Sequence, residues 1–272
     1  MRIHNCESGP FTAQRVQGGA GEVGIQNVME RSDFETAFEF IKAARLDPGT
    51  SVGLHRHERS EECLVVLDGP LTIAHNERIG LVQPPSVVLC RAGDSHGIVN
   101  HTDRSTSVVG IGVAPQDGPF DAVQLDDDLI GREPNEVDLE DVQRLDPTLL
   151  APLRAHLGLG KILARRLFDM DAFTTNWGFV DHAFMPPGTS VGYHRHDMLQ
   201  ECYVIIGGRG RMKVDGEVAD VIKGDCIPNR LGGSHGIINH TDTPLEYLNI
   251  AVSQHKGGVD FTNLTDDLSD LL

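Results

Sequence analysis

The chain has 272 residues, a formal net charge of −17 and 39% hydrophobic residues. A surface this acidic repels phosphate backbones and anionic lipid. Neither nucleic acid nor membranes are therefore expected partners. No run of about twenty apolar residues occurs, and the first residues lack the apolar core of a secretory signal. Five widely spaced cysteines without a CxxC pair predict a reducing, cytoplasmic location rather than a disulfide framework.

In chain order, the same elements occur twice. Residues 48–69 read PGTSVGLHRHERSEECLVVLDG, and residues 187–208 read PGTSVGYHRHDMLQECYVIIGG, an offset of 139 residues. GDSHGIVNHTD at 93–103 and GGSHGIINHTD at 232–242 share that offset. The glycines before the first motif match as well: Gly19 and Gly21 fall on Gly158 and Gly160. A period this long indicates a duplicated domain rather than a solenoid.

The repeat predicts three parts: an N-terminal domain at 1–129, a linker at 130–156 and a C-terminal domain at 157–272. Within a repeat, VGYHRHDM alternates, ECYVIIGG is β-branched and aromatic, and Asp215-Gly216 suits a hairpin turn. Short strands separated by glycine turns predict an all-β barrel or jelly roll. In the linker, Asp146 can cap a short helix with Pro147 in its first turn, and a weaker helix signal covers 136–150.

Each repeat also carries the side chains of a metal site. Residues i and i+2 of a strand face the same way, so His55 and His57 share a face. Glu62 follows five residues later, and His96 lies in the next motif. The second repeat has the matching set: His194, His196, Glu201 and His235. Three imidazoles and a carboxylate suit iron(II), manganese, nickel, copper or zinc, and leave two cis positions open on an octahedral ion. The alternative is a hairpin with surface histidines, but recurrence of the whole set at one offset argues against it.

These stretches resemble the two cupin motifs, G-x5-H-x-H-x4-E-x6-G and G-x2-H-x3-N. The first motif is formed by Gly49, His55, His57, Glu62 and Gly69, and by Gly188, His194, His196, Glu201 and Gly208. The second is formed by Gly93, His96 and Asn100, and by Gly232, His235 and Asn239. The resemblance implies a bicupin: two double-stranded β-helix (jelly-roll) barrels that face each other, each with a metal inside. The short helical linker predicted from the residues would join them.

Two further residues are candidates for catalysis. If the strand after each glutamate is regular, Tyr203 and Ile205 face one metal and Leu64 and Val66 face the other. The Tyr203 hydroxyl could then orient or protonate a substrate, although a core tyrosine is the alternative. Glu61 could act as a general base, with a solvated position at the strand end as the alternative. By the same alternation, Cys63 and Cys202 point away from the metals and pack as small apolar groups.

The resemblance does not name the reaction, because cupins include dioxygenases, oxidases, decarboxylases, isomerases, lyases and binders. We place first a metal-dependent enzyme, a mononuclear non-haem iron oxygenase of the dioxygenase type that acts on a small polar molecule. The alternative is an oxygen-independent isomerase, lyase or decarboxylase, and the second alternative is a non-catalytic binder. Iron(II) is the first expectation for the metal, with manganese, nickel, zinc and copper as alternatives. The expected assembly is a monomeric pseudo-dimer or a homo-oligomer.

Overall fold

The computed structural model describes residues 1–134, 139 and 141–272. Within these residues no helix is long and apolar enough to span a membrane. The weak helix signal over 136–150 falls partly on residues 135–138 and 140, which lie outside the described part. All five cysteines are buried and free of disulfides.

Nearly all regular structure is β-strand, in the same order in both repeats. The first half of the chain contains β1 (His4–Asn5), β2 (Thr12–Gln14), β3 (Val23–Glu30), β4 (Phe38–Leu46), β5 (Ser51–Arg56), β6 (Glu61–Asp68), β7 (Leu71–His75), β8 (Arg78–Val82), β9 (Ser86–Cys90), β10 (Ser95–Val99), β11 (Thr106–Val113) and β12 (Val123–Gln124). The second contains β13 (Val142–Arg144), β14 (Ala151–Leu153), β15 (Ile162–Asp169), β16 (Trp177–Met185), β17 (Ser190–Arg195), β18 (Leu199–Gly207), β19 (Arg209–Val214), β20 (Glu217–Ile222), β21 (Asp225–Asn229), β22 (Ser234–Ile238), β23 (Leu245–Ser253) and β24 (Thr262–Asn263). Short 3₁₀ helices lie at Arg31–Asp33, Pro147–Leu149, Met170–Ala172 and Ser269–Leu271. The all-β prediction is confirmed.

Each barrel consists of a seven-stranded and a five-stranded antiparallel sheet. The first barrel has the strand orders β13-β9-β6-β11-β4-β3-β2 and β12-β5-β10-β7-β8. The second has β1-β21-β18-β23-β16-β15-β14 and β20-β19-β22-β17-β24. Two facing antiparallel sheets whose neighbours are distant in sequence are typical of the jelly roll.

The segments that precede the two repeats are exchanged between the barrels. β1 pairs with β21 of the second barrel, with His4 opposite Cys226. β13 pairs with β9 of the first barrel, with Val142 opposite Val88. Each of these strands therefore precedes one repeat in sequence but extends the sheet of the other. The boundaries at 129 and 157 stay a prediction, because the segment between them contributes β13 to one barrel and β14 to the other.

The predicted cap in the linker is present. The Asp146 carboxylate accepts a hydrogen bond from the Thr148 amide at 2.9 Å, and Pro147 opens the helix. The helix is a single 3₁₀ turn, because β14 begins at Ala151 and pairs with β15. The linker therefore mainly leads the chain from β13, in a sheet of the first barrel, to β14, in a sheet of the second.

The outer faces of the two seven-stranded sheets pack on each other to form the central core. Cys63 of β6 and Cys202 of β18 belong to this one cluster. The alternate residues Leu64 and Tyr203 lie instead in the interiors of the first and second barrels. The predicted alternation and the face-to-face packing are therefore confirmed. Trp177 also lies in this central core, with its ring stacked 4.7 Å from that of Phe173.

Two related polar contacts join the barrels at the ends of β6 and β18. The Glu61 carboxylate accepts hydrogen bonds from the amide and hydroxyl groups of Thr174 and Thr175, at 2.6 to 3.1 Å. At the matching position, the Gln200 carbonyl oxygen accepts from the Glu35 amide and from the amide and hydroxyl of Thr36, at 2.9 to 3.1 Å. Each acceptor precedes a predicted metal ligand, Glu62 or Glu201. The polar contacts between the barrels therefore lie on β6 and β18, directly beside the predicted ligands Glu62 and Glu201.

The recurrent glycines let two backbone segments cross beside each HxH strand. A Cβ atom on Gly192 would lie 2.0 Å from the His156 carbonyl oxygen, and one on Gly158 would lie 2.2 Å from that of Ser190. The first repeat has the same crossing, since a Cβ on Gly53 would lie 2.2 Å from the Gln17 carbonyl oxygen. This close approach explains why glycine recurs at these positions.

We expect Gly192→Ala to lower the free energy of unfolding by about 2–4 kcal/mol, because the new methyl group meets backbone that cannot rotate away. The control is Gly188→Ala. Gly188 has φ +74° with open space around its Cβ position, so only backbone strain of about 1–2 kcal/mol is expected there. Urea unfolding of both variants measures the difference. Equal losses would show that the crossing tolerates a methyl group.

Candidate metal centres

Two buried clusters lie inside the barrels, and within each the potential ligand atoms are within 4.8 Å of one another. The first consists of His55, His57, Glu62 and His96, and the second of His194, His196, Glu201 and His235. The structure thus brings together every ligand predicted from the sequence. His55 and His96 lie opposite each other on neighbouring strands β5 and β10, while Glu62 projects from β6 in the facing sheet. The antiparallel register and the closure of the barrel together create the site.

The carboxylate lies at the centre of each set. Glu62 Oε2 is 3.1 Å from His96 Nε2 and 3.3 Å from His57 Nε2. In the second barrel, Glu201 Oε2 is 2.9 Å from His235 Nε2, and its Oε1 is 3.5 Å from His196 Nε2. In each barrel, the Nε2 atoms of two histidines therefore face the carboxylate.

Backbone carbonyls fix the tautomer of the HxH histidines. Nδ1 of His55 donates to the Gly53 carbonyl, and Nδ1 of His194 donates to that of Gly192, both at 2.9 Å. Nδ1 of His57 donates to the Asp121 carbonyl, and Nδ1 of His196 does the same at Asp260. A carbonyl can only accept, so Nδ1 carries a proton in each of these rings. When Nε2 carries no proton, its lone pair is therefore available to bind a metal.

The electrostatics favour neutral imidazoles at His55, His96 and His194 beside an ionised glutamate. Burial, together with the neighbouring imidazoles, lowers the pKa of His55 to about 3 and that of His194 to about 2. Burial also disfavours the charged form of His57, but its hydrogen bond to Glu62, together with the charge of that carboxylate, outweighs burial and raises the pKa of His57. Burial alone would raise the pKa of Glu62, but hydrogen bonds from His57 and His96 outweigh it and lower that pKa below its usual range. Neutral imidazoles and a carboxylate are the forms that bind a metal.

The residues fit a divalent transition metal in both barrels. The carboxylate and histidine side chains are almost fully buried, and the His196 Nε2 atom has no hydrogen-bond partner among the described residues. A buried polar atom without a partner is costly, and a cation at the centre of the set would satisfy it. The two clusters therefore imply one divalent metal per barrel. The choice among iron, manganese, nickel, zinc and copper is not fixed by this donor set.

A third group of possible ligands lies outside the barrel interiors. His75, Asp94 and Asp141 have ligand atoms within 4.8 Å of one another. However, the Arg91 guanidinium lies 2.6 Å from Asp141, and His75 Nε2 lies 3.2 Å from Asp94. A guanidinium in this position already supplies the positive charge that a cation would bring, so this group is an ion-pair network.

The two barrels differ in the space beside the cluster. In the first, the four ligands line an open pocket of about 360 Å³. On its wall, Lys42, Gly110 and Leu64 lie side by side in register on β4, β11 and β6. The second barrel has larger or differently charged residues at the matching positions: Asp181, Asn249 and Tyr203. In addition, Tyr247 stands where the first barrel has Val108, so the second barrel has larger side chains at three of these four positions.

The structure places the two predicted catalytic residues differently. The Tyr203 ring lies in the second barrel, 5.6 Å from the His235 ring and 4.9 Å from the Tyr247 ring, and burial raises the pKa of its phenol. Glu61 is fully buried at the contact between the barrels, so the alternative of a solvated position is wrong. Its four hydrogen bonds with Thr174 and Thr175 favour a structural role. The catalytic role of both residues stays a prediction.

Sequence reasoning missed several residues around the sites. Asp121 and Asp260, whose carbonyls orient His57 and His196, occupy matching positions and were detectable from the common offset. Lys42 carried no such signal, because its counterpart is Asp181 and the two residues share no chemistry.

Comparison with known proteins agrees with this architecture. The model of the Cupin domain matches residues 43–112 and 182–251, so the chain belongs to the cupin family, and its two domains make it a bicupin. An oxalate-binding protein of Thermotoga maritima is 28% identical over 100 residues, which cover 37% of this chain and 83% of that protein. The resemblance predicted from the motifs is confirmed.

Solved structures with similar folds include enzymes of two kinds. A mutant of Bacillus subtilis oxalate decarboxylase superposes with a TM-score of 0.63 at 16% identity, covering 97% of this chain and 79% of that chain. Salicylate 1,2-dioxygenase of Pseudoaminobacter salicylatoxidans superposes with a TM-score of 0.65 at 12% identity, covering 84% and 73%. At these identities the similarity shows the fold, and the reaction has to be argued from the site.

Proposed function

We propose that the protein is a metal-dependent enzyme whose first barrel carries out the reaction. Its reaction would be oxygenation of a small polar molecule at a mononuclear non-haem iron centre of the dioxygenase type. The observation that carries this proposal is the open pocket of about 360 Å³ beside a buried set of three histidines and one glutamate. The four residues would hold the metal and leave part of its coordination open, and the pocket would give a small substrate access to it.

The residues of the chain have defined tasks in such a reaction. Bound iron(II) would supply the redox chemistry and the open part of its coordination. The Gly53 and Asp121 carbonyls orient His55 and His57, which keeps the geometry of the site fixed. Leu64 and Val108 form apolar walls that limit the access of water to the pocket. The fold of salicylate 1,2-dioxygenase supports the compatibility of this architecture with oxygenation.

A second candidate is an oxygen-independent decarboxylase, lyase or isomerase, in which the metal acts as a Lewis acid. It is favoured by the oxalate-binding relative, which aligns over 83% of its own length, and by the oxalate decarboxylases that share the fold. One of the latter is described as having Mn(II) centres. In this reaction Glu39, which lines the first pocket, would be the group that moves protons.

The test starts from protein purified without added metal or chelator. Metal content is measured by mass spectrometry, and a panel of small polar compounds is then assayed with and without oxygen. We expect iron and substrate-dependent oxygen uptake. Equal turnover under strict anaerobiosis would favour the second candidate instead. Unchanged ligand binding by metal-free protein, without turnover of any compound, would indicate a non-catalytic binder and overturn both.

A further inference from the structure

The wall of the first pocket contains one cationic side chain beside the metal ligands. Lys42 is half-buried, and its Nζ lies 4.4 Å from the centroid of the Phe40 ring. Among the described residues, no carboxylate lies within ion-pair distance of Lys42. A half-buried cation is normally paired with an anion, since an aromatic face compensates only part of the cost of its desolvation. The ammonium group is therefore available to a ligand in this pocket.

The position of Lys42 relative to the metal ligands follows from the register. Lys42 lies opposite Gly110, which in turn lies opposite Leu64. Two strand spacings separate Lys42 from Leu64, roughly 10 Å between Cα atoms. Gly110 keeps the space between them open, because a Cβ there would lie 2.5 Å from Glu62 Oε1. The space over Gly110 therefore lies between the Lys42 side chain and the ligand Glu62. A small molecule in this space could contact both the ammonium group and the metal.

The second barrel lacks this arrangement at the same positions. The counterpart of Lys42 is Asp181, and Arg166 binds it with two hydrogen bonds of 2.9 and 3.1 Å. The counterpart of Gly110 is Asn249. The charges of Asp181 and Arg166 therefore neutralise each other, and Asn249 brings a side chain where the first barrel has only Gly110. An anion that binds at Lys42 has no equivalent position in the second barrel.

Besides the metal ligand Glu62, the lining of the first pocket contains the carboxylate of Glu39, which could oppose an anion. It lines the first pocket, but it also lines the neighbouring groove together with Arg31 and Glu35. Because Glu39 borders both cavities, it lies at the rim of the first pocket. Phe40 lies between Glu39 and Lys42 along β4. A ligand that reaches the metal therefore passes Glu39 and ends beside Lys42.

We propose that Lys42 binds the carboxylate of the substrate in the first barrel. The substrate is then a small carboxylic acid with a second oxygen atom for the metal. This inference rests on the proposed function, because it assumes that the first pocket holds the reacting molecule. A lysine is a compact single charge and matches one carboxylate, whereas phosphate is commonly held by several donors or by the arginine fork. The apolar neighbours Val52, Leu64 and Val108 suit a short carbon skeleton.

The test uses the full chain loaded with manganese, and glycolate as the probe. Glycolamide is the neutral analogue of the same shape, and inorganic phosphate is the competing anion. Calorimetric titration is expected to show one glycolate site per chain and binding of glycolamide at least about tenfold weaker. Lys42→Met should weaken glycolate binding about 10- to 100-fold, the range of a charge-assisted hydrogen bond. Lys42→Arg should restore most of the affinity. The control Lys161→Met removes an exposed positive charge and should leave binding unchanged.

Metal content measured on the same samples separates the two proposals. Full metal loading with glycolate binding unchanged in Lys42→Met would overturn the role of Lys42 and leave the proposed function standing. Binding of glycolate that depends on Lys42 in a protein that takes up no metal would support Lys42 and overturn the proposed function. Equal binding of glycolamide, tighter binding of phosphate, or two equivalent glycolate sites per chain would each overturn the carboxylate assignment.

Discussion

Replacing His96 by alanine is expected to remove the metal from the first barrel and to abolish its activity. His96 supplies one of four ligands to a buried site and is hydrogen-bonded to a second ligand, Glu62, at 3.1 Å. Loss of the ligand therefore also leaves a buried carboxylate without its partner. Because a catalytic metal contributes several kcal/mol to the transition state, we expect activity to fall at least about 10³-fold. Mass spectrometry should show one metal per chain instead of two.

Two variants make this experiment specific. His235→Ala removes the matching ligand of the second barrel and should also halve the metal content, yet it should retain activity if the open first pocket is the reaction site. His101→Ala replaces an exposed histidine whose one hydrogen bond within the described residues is with the Thr72 hydroxyl. This variant should leave the metal content at two. Activity that survives in His96→Ala and disappears in His235→Ala would place the reaction in the second barrel.

Replacing Glu61 by alanine is expected to cause a large loss of stability without loss of metal. The fully buried carboxylate accepts four hydrogen bonds from Thr174 and Thr175 at the contact between the barrels. Alanine would leave these donors without a partner, at a cost of roughly 3–5 kcal/mol in the free energy of unfolding. Chemical denaturation followed by fluorescence or circular dichroism measures the change.

Glu61→Gln is the matched variant, since the second barrel has glutamine at this position. The carbonyl oxygen of Gln200 alone accepts three hydrogen bonds, while its Nε2 has no partner among the described residues. An amide should thus retain part of the contact and cost about 1–2 kcal/mol. The same variant tests the catalytic prediction, because loss of a general base would lower kcat about 10²- to 10⁴-fold. A loss below about 0.5 kcal/mol in Glu61→Ala would show that this contact contributes little.

The metal ligands could be predicted from sequence because duplication makes them recur. His55 and His57 are two residues apart on one strand, and this spacing alone places them on one face. The recurrence of the whole set at an offset of 139 residues then separates it from histidines on a surface hairpin. The alternation along β6 and β18 was equally readable, because the side-chain period of a strand is two. The family, the all-β class and the ligand sets all follow from these local rules.

The exchanged strands β1 and β13 could not be predicted in this way. They are two and three residues long, which is too short to show a periodic pattern. Their partners, β21 and β9, lie far away in sequence, and only the packing of the two barrels brings them together. The position of Glu61 has the same origin, because the threonines that surround it come from the other repeat.

The sequence by itself determined that this protein is a bicupin with two sets of metal ligands. Those residues obey short-range periodicity, and their chemistry is repeated. Only the tertiary structure showed that the first barrel has an open pocket beside its ligands and which charged side chains line it. Lys42, Gly110 and Leu64 become neighbours through the antiparallel register of three strands that are 22 to 68 residues apart, as do Asp181, Asn249 and Tyr203. Register is fixed by the burial of whole strand faces, a property of the folded sheet that no single stretch of sequence contains.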